Sequence, residues 1–287
     1  MTKVLILVFV VLAACGRGGL DGDEPLPAKG KEQPSRVTIR TLEYAYRLPP
    51  DFRGGVVTIE LDNTRGKEPH EAEIVRLDAG KTPADYMEAL SRRETPTFAT
   101  AAGGPGPVSP GKKATYTGTF AAGNYMLICH VPAPDGAEHA AKGMTAPLRI
   151  LPGTAGTLPR ADLVIRGKEM EFTGTEGLRA GSQTVRVSNE GQQDHHWALF
   201  KLSPGATADD FTRFATASFA PAAGPVAPGP PPFTDIPGLV ATLPPGADAT
   251  RTLELEPRSR YVFACFIPDT DGVPHFAKGM IKQVDLG

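Results

Sequence analysis

Two stretches of the chain carry the same residue types at the same spacing. Cys129 is followed by His139 and Met144, and Cys265 by His275 and Met280. Both read Cys, nine residues, His, four residues, Met, and both close on Lys-Gly-Met. Upstream of each lies a histidine in matching context, His70 in PHEAEIVRL and His195 in HHWALFKL. One thiolate, two imidazoles and a thioether suit a copper ion that changes oxidation state. Cu(I) favours soft sulfur and Cu(II) favours nitrogen, so one set serves both. Singly, each residue has an ordinary place. A free cysteine is often a small buried residue, and methionine fills cores. The shared order in a chain with only three cysteines and six histidines carries the metal reading. Two copper ions per chain are expected.

The elements that must position these residues repeat as well. Val37–Asn63 lies over Leu163–Asn189 without a gap, and Ile39, Arg40, Gly55 and Asn63 meet Ile165, Arg166, Gly181 and Asn189. VVTIELDN and QTVRVSN alternate apolar and polar residues, the period of a half-buried strand. After one residue of slack, His70–Leu77 matches His195–Leu202. Helices are expected at Pro83–Arg92 behind Thr82 and at Ala208–Ala217 behind Thr207, since threonine caps a helix start. Gly/Pro-rich loops follow, 103–111 in the first copy and a longer 220–246 in the second. Strands ATYTGTF and ATRTLEL come next, then Tyr125–Cys129 and Tyr261–Cys265 leading into the ligand loops. Pro147–Leu151 and Ile281–Leu286 lead out of them. Such a pattern predicts an all-β protein, two tandem Greek-key β-sandwiches with short helical insertions. Residues 37–151 form the expected first domain, 152–161 a linker and 162–287 the second domain.

Composition bounds the partners. The 287 residues are 40% hydrophobic and 22% charged with net charge -2, so nothing points to nucleic acid as a partner. Residues 1–14 read as a signal peptide, with Lys3 ahead of an apolar run too short to span a bilayer. The run ends in Leu12-Ala13-Ala14-Cys15-Gly16, which resembles a bacterial lipoprotein box. That resemblance implies cleavage before Cys15 and acylation of its thiol; an ordinary signal peptide is the alternative. Residues 15–36 then read as a flexible tether. The expected place is outside a cell membrane, held by lipid on Cys15, facing the periplasm or the cell exterior. Cys129 and Cys265, in equivalent places, suggest parallel duties rather than a disulfide bridge.

The two repeats resemble the cupredoxins, the type 1 blue-copper family, over about 240 residues. His195-His196-Trp197-Ala198-Leu199 is similar to that family's His-Asn-Trp-Val strand, which selects His195 over His196. His139-Ala-Ala-Lys-Gly143-Met144 and His275-Phe-Ala-Lys-Gly279-Met280 are similar to its His-x-x-x-Gly-Met ending. The resemblance implies copper ligands His70, Cys129, His139 and Met144 in one domain and His195, Cys265, His275 and Met280 in the other. It also implies electron transfer with an unknown redox protein partner. A copper-sequestering lipoprotein without such a partner is the alternative. The nine-residue Cys–His spacer is longer than in small blue-copper carriers and close to that of two-domain nitrite reductases. Asp135-Gly136 and Asp271-Gly272 inside it predict a tight turn.

Two histidines fall outside the set. His130 follows Cys129 and His196 follows His195, and strand neighbours face opposite sides. A surface or supporting role is expected, with an interdomain site as the alternative. Histidine counting also bears on catalysis. By the resemblance, a trinuclear oxidase cluster needs about eight histidines in His-x-His pairs, and a nitrite reductase needs a histidine directly before the blue-site cysteine. Ile128 and Ala264 stand in that place. The expectation is therefore a chain that is not an enzyme, with a copper oxidoreductase the less favoured reading.

Overall fold

Alternation of apolar and polar residues decides which face of each strand is buried, and the strands stack accordingly. The structure, a computed structural model, describes residues 34–92, 94–219, 229–238 and 240–287. The expected signal peptide, Cys15 and nearly all of the tether lie outside the described residues. In the first repeat the strands are β1 (Ser35–Leu42), β2 (Ala45–Arg47), β3 (Gly55–Asp62), β4 (Glu73–Leu77), β5 (Ala99–Ala101), β6 (Lys113–Phe120), β7 (Gly123–Ile128) and β8 (Thr145–Ile150). Helix α1 (Pro83–Ser91) follows β4. In the second repeat they are β9 (Leu163–Lys168), β10 (Glu171–Thr173), β11 (Gly181–Asn189), β12 (His195–Leu202), β13 (Phe233–Asp235), β14 (Val240–Leu243), β15 (Asp248–Leu255), β16 (Arg260–Ala264) and β17 (Ile281–Asp285). Helix α2 (Ala208–Phe219) follows β12. The described residues are all-β with two short helices, a tandem of β-sandwiches.

In each repeat the first strand runs parallel to the long one that follows, β1 to β3 and β9 to β11. The second sheet is β5-β4-β7-β8 in the first repeat and β13-β12-β16-β17, with β14 also on β12, in the second. β12 shows how the faces divide. Trp197 and Leu199 enter the main core with Ile165, Val185 and Phe263. Ala198, Phe200 and Leu202 point the other way and pack on Phe211 and Ala215 of α2. Likewise Val75, Leu77, Met126 and Ile128 meet Tyr86, Met87 and Leu90 of α1. The helices cover the outer faces of the second sheets. α1 starts at a capping box in which Thr82 accepts from the Asp85 N–H and Asp85 accepts from the Thr82 N–H.

The repeats are joined more closely than a linker alone requires. One eight-stranded sheet, in the order β10-β9-β11-β15-β6-β3-β1-β2, runs through both, with β15 meeting β6 at Thr250 and Thr117. The long second loop contributes β13 and β14, which reach the first repeat. The Ala241 N–H donates to the Gly104 carbonyl at 2.9 Å. Ser109 Oγ bonds Asp235 at 2.7 Å. At Gly238, φ +61°, a Cβ would stand 1.8 Å from the Pro107 carbonyl oxygen, so only glycine permits this approach.

Candidate metal centres

Each ligand loop is built the same way. β7 ends at Ile128 and delivers Cys129; β16 ends at Ala264 and delivers Cys265. The Cys129 N–H donates to the Met144 carbonyl at 3.3 Å, and the Met144 N–H to the His139 carbonyl at 2.9 Å. The second loop repeats both bonds, Cys265 to Met280 at 3.1 Å and Met280 to His275 at 2.9 Å. His139 and His275 each open a single 3-10 turn that ends at a left-handed glycine, Gly143 (φ +98°) and Gly279 (φ +110°). The expected Asp-Gly turns are present, with Gly136 at φ +84° and Gly272 at φ +79°. They fold back so that the His139 N–H reaches the Val131 carbonyl and the His275 N–H the Ile267 carbonyl, each at 2.9 Å.

The upstream histidines are held by asparagines at matching places. Asn63 Nδ2 donates to the carbonyls of Glu68 and Val108, both at 3.0 Å, and Thr41 Oγ1 donates to Asn63 Oδ1 at 2.6 Å. Asn189 Nδ2 donates to the carbonyls of Gln193 and Leu243 at 2.8 Å. Both asparagines match in the repeat, but neither was assigned a role from the sequence. Their duty is to fix the short segment that carries His70 or His195.

The loops bring the predicted side chains together. His70, Cys129 and His139 form one group and His195, Cys265 and His275 another, with all ligand atoms in each group within 4.8 Å of one another. Cys129 Sγ lies 3.4 Å from His139 Nδ1, and the His70 and His139 Nδ1 atoms are 3.0 Å apart. Cys265 Sγ lies 3.5 Å from His275 Nδ1 and 4.0 Å from His195 Nδ1. A metal about 2.0–2.3 Å from each ligand atom leaves those atoms about 3–4 Å apart. All six residues, with Met144 and Met280, are 0% exposed. Cys129 and Cys265 are free thiols.

Outward bonds set which ring nitrogen faces inward. The His139 Nε2–H donates to Glu68 at 2.8 Å, and the His275 Nε2–H to Gln193 at 2.9 Å. His70 Nε2 faces Glu43 at 3.6 Å. With Nε2 protonated, Nδ1 presents its lone pair to the centre. Two such lone pairs 3.0 Å apart beside a thiol repel unless a cation stands between them. Burial lowers the His70 pKa and brings His195 to about 4, so both rings stay neutral. Burial pushes the Cys265 thiol up to about 12 and the Cys129 thiol up as well. Two backbone N–H groups face each sulfur, from Glu71 and Val131 at Cys129 and from His196 and Ile267 at Cys265. Those groups stabilise a thiolate once a metal displaces the proton. The residues therefore fit a soft transition-metal ion.

His130 and His196 take supporting places. The His130 N–H donates to Glu71 Oε1 at 2.8 Å and its ring meets Glu138 at 3.1 Å. The His196 N–H donates to Cys265 Sγ at 3.2 Å. Sequence reasoning overlooked Glu43, Glu68 and Gln193. The available signal was position, because Glu68 and Gln193 each stand two residues before a candidate ligand.

No protein-family model matches the chain, and no curated protein matches its sequence. Solved structures do. Auracyanin A, a blue copper protein from Chloroflexus aurantiacus, is 22% identical over 43% of this chain and 96% of its own, with TM-score 0.29. A copper nitrite reductase from Nitrosomonas europaea is 15% identical over 89% of this chain and 94% of its own, with TM-score 0.25. A multicopper oxidase is 15% identical over 88% of each chain, with TM-score 0.23. The expectation that the chain is not an enzyme is corrected by these findings. Copper enzymes stand among the similar structures beside auracyanins. Counting histidines tests only the cluster types counted, so it does not exclude catalysis.

Proposed function

We propose that this chain is an exported copper protein with two type 1 centres that transfers electrons. The observation that carries the reading is the duplicated, fully buried His/Cys/His group with its Nδ1 and Sγ atoms converging. The proposed ligands are His70, Cys129, His139 and Met144, and His195, Cys265, His275 and Met280. A copper ion supplies one-electron chemistry when bound. The chain's residues keep the surroundings fixed. Rigid strand ends, the asparagine braces and the backbone bonds between Cys, His and Met hold each ligand, so little rearranges between oxidation states. Complete burial favours electron transfer over metal hand-off, because a site that exchanges ions needs at least one accessible ligand. The test is a metal count with a visible spectrum. Two copper ions per chain and an intense thiolate-to-copper absorption support the reading; copper bound without that absorption overturns it. A sequestering protein would show the colour without rapid electron exchange.

The proposed place is a membrane surface, reached through acylated Cys15 after removal of residues 1–14, with residues 15–36 as tether. The support is the lipoprotein-like sequence around Cys15. Stable anchoring takes more than one acyl chain. Mass spectrometry of the N-terminal peptide tests it, and an unmodified thiol there removes the anchor. Domains 37–151 and 162–287, with the linker 152–161, remain the proposed divisions.

A further inference from the structure

The two centres share their ligand types and most of what surrounds them. Asn63 matches Asn189. Glu43 matches Glu169, which accepts the Gln192 N–H. Lys142 pairs with Asp135, as Lys278 does with Asp271. Each sulfur faces two backbone N–H groups. One pair breaks the symmetry. The His139 Nε2–H donates to a carboxylate, Glu68, whereas the His275 Nε2–H donates to a neutral amide, Gln193. The neighbour changes with it. Tyr44 OH bonds Glu68 at 3.3 Å and its ring packs edge-on to His139 at 5.0 Å. At the equivalent place stands Met170, which shares the left-handed backbone, φ 62° against 58°, but has no hydroxyl. A further difference has the same sign: the residue after His70 is an acid, Glu71, and the residue after His195 is His196.

Resting on the copper reading above, we infer that Glu68 and Gln193 set the two centres at different reduction potentials, with the His195/Cys265/His275 centre the preferred seat of the electron. The physical argument has two parts. A carboxylate accepting the Nε2–H draws that proton toward itself and makes Nδ1 a stronger ligand, whereas an amide does so less. The Glu68 side chain is also only 21% exposed, so water screens its charge incompletely. Both effects favour the more positive oxidation state at the His70/Cys129/His139 centre. An electron entering the protein is therefore driven from the first centre to the second.

The test is a reductive titration of the copper-loaded full chain, followed by the thiolate-to-copper absorption. Cys265→Ser isolates the first centre and Cys129→Ser the second. The second centre should hold the electron at least tenfold more strongly, 59 mV for a one-electron couple. Glu68→Gln, nearly isosteric, should shift the first centre about tenfold toward the reduced form. Gln193→Glu should shift the second about tenfold the other way. A merely structural role for either residue would change copper content and leave the midpoints in place. Unchanged midpoints in both variants, with copper and colour retained, overturn the inference. Wild-type protein that takes up no copper overturns the copper reading first and this inference with it.

Discussion

The ring of His196 stands 4.0 Å from the carboxylate of Glu71, its counterpart in the other repeat. Each residue follows the upstream histidine of its own centre. Glu71 Oε1 accepts the His130 N–H, and the His196 N–H donates to Cys265 Sγ. The segment beside Cys129 thus reaches the segment beside Cys265 through one buried acid and one partly buried imidazole. Burial raises the Glu71 pKa to about 7. Glu71→Leu should cost about 1–3 kcal/mol, because the His130 N–H loses its acceptor. Glu71→Gln, which keeps an acceptor, should cost less than about 1 kcal/mol. Urea unfolding of both variants checks this. Equal losses would show that the contact contributes through packing alone.

The cysteines should separate the centres. Cys129→Ser should leave one copper ion and about half the charge-transfer intensity, and Cys265→Ser should do the same for the other centre. Copper removal should also lower stability. At a free ion concentration of one hundred times Kd, binding to the folded state alone stabilises by about 2.7 kcal/mol. Thermal unfolding with and without copper reads this. A double serine variant with wild-type metal content would refute the ligand assignment.

Much of the candidate site was legible because metal-binding chemistry is written in residue types. His70, Cys129, His139 and their counterparts converge as spacing and repetition predicted. The strands around them were legible through alternation, and α1 through Thr82. The accessory residues were not. Asn63 and Glu68 act across the fold, on Val108 and His139, and no local pattern announces such a bond. Nor did the loop 220–246 disclose β13 and β14. Their short segments, PPFTDIPGLV among them, carry prolines that weaken a strand signal. Both pair with β12, and the first repeat adds backbone partners for β14 at Gly104 and Pro105. Catalysis was excluded too early, on the absence of particular histidine patterns.

Asn63 offers a test of that hidden layer. It is 0% exposed and satisfies two carbonyls. Asn63→Ala should cost about 1–3 kcal/mol, because the Glu68 carbonyl and the Thr41 hydroxyl each lose a partner while the Val108 carbonyl keeps the His70 N–H. Copper affinity should fall at the first centre and hold at the second, read from the colour of each single-cysteine variant. Equal loss at both centres would mean that the repeats respond as one body.

Acid should weaken the fold partly through Glu60. Its carboxylate accepts from Lys113 at 2.9 Å and Arg36 at 2.8 Å. Those bonds hold its pKa below the usual 4.5, against a smaller opposing effect of burial. The folded value is depressed, so the contribution is present above about 4.5 and is lost as pH falls through the folded value. Both cations are about half exposed, so the effect is small, under about 1 kcal/mol. Glu60→Gln should lower stability at pH 7 and flatten the slope of stability below pH 4.5. An unchanged slope would remove Glu60 from the acid response.

The shared sheet gives the last prediction. β6 and β15 meet at Thr117 and Thr250, and the Ala241 N–H bonds the Gly104 carbonyl. Apolar residues lie beneath this seam, where a Cβ on Gly103 would meet Leu243. Cleaving the chain within 152–161 should therefore leave the two halves associated, because the seam outlasts the covalent link. Size-exclusion chromatography of the nicked protein should give one peak of unchanged volume. Replacing Gly238 by Val in the nicked protein should release the halves, since its side chain would strike the Pro107 carbonyl. Halves that separate without that substitution would show that each sandwich holds its own core and the seam adds little.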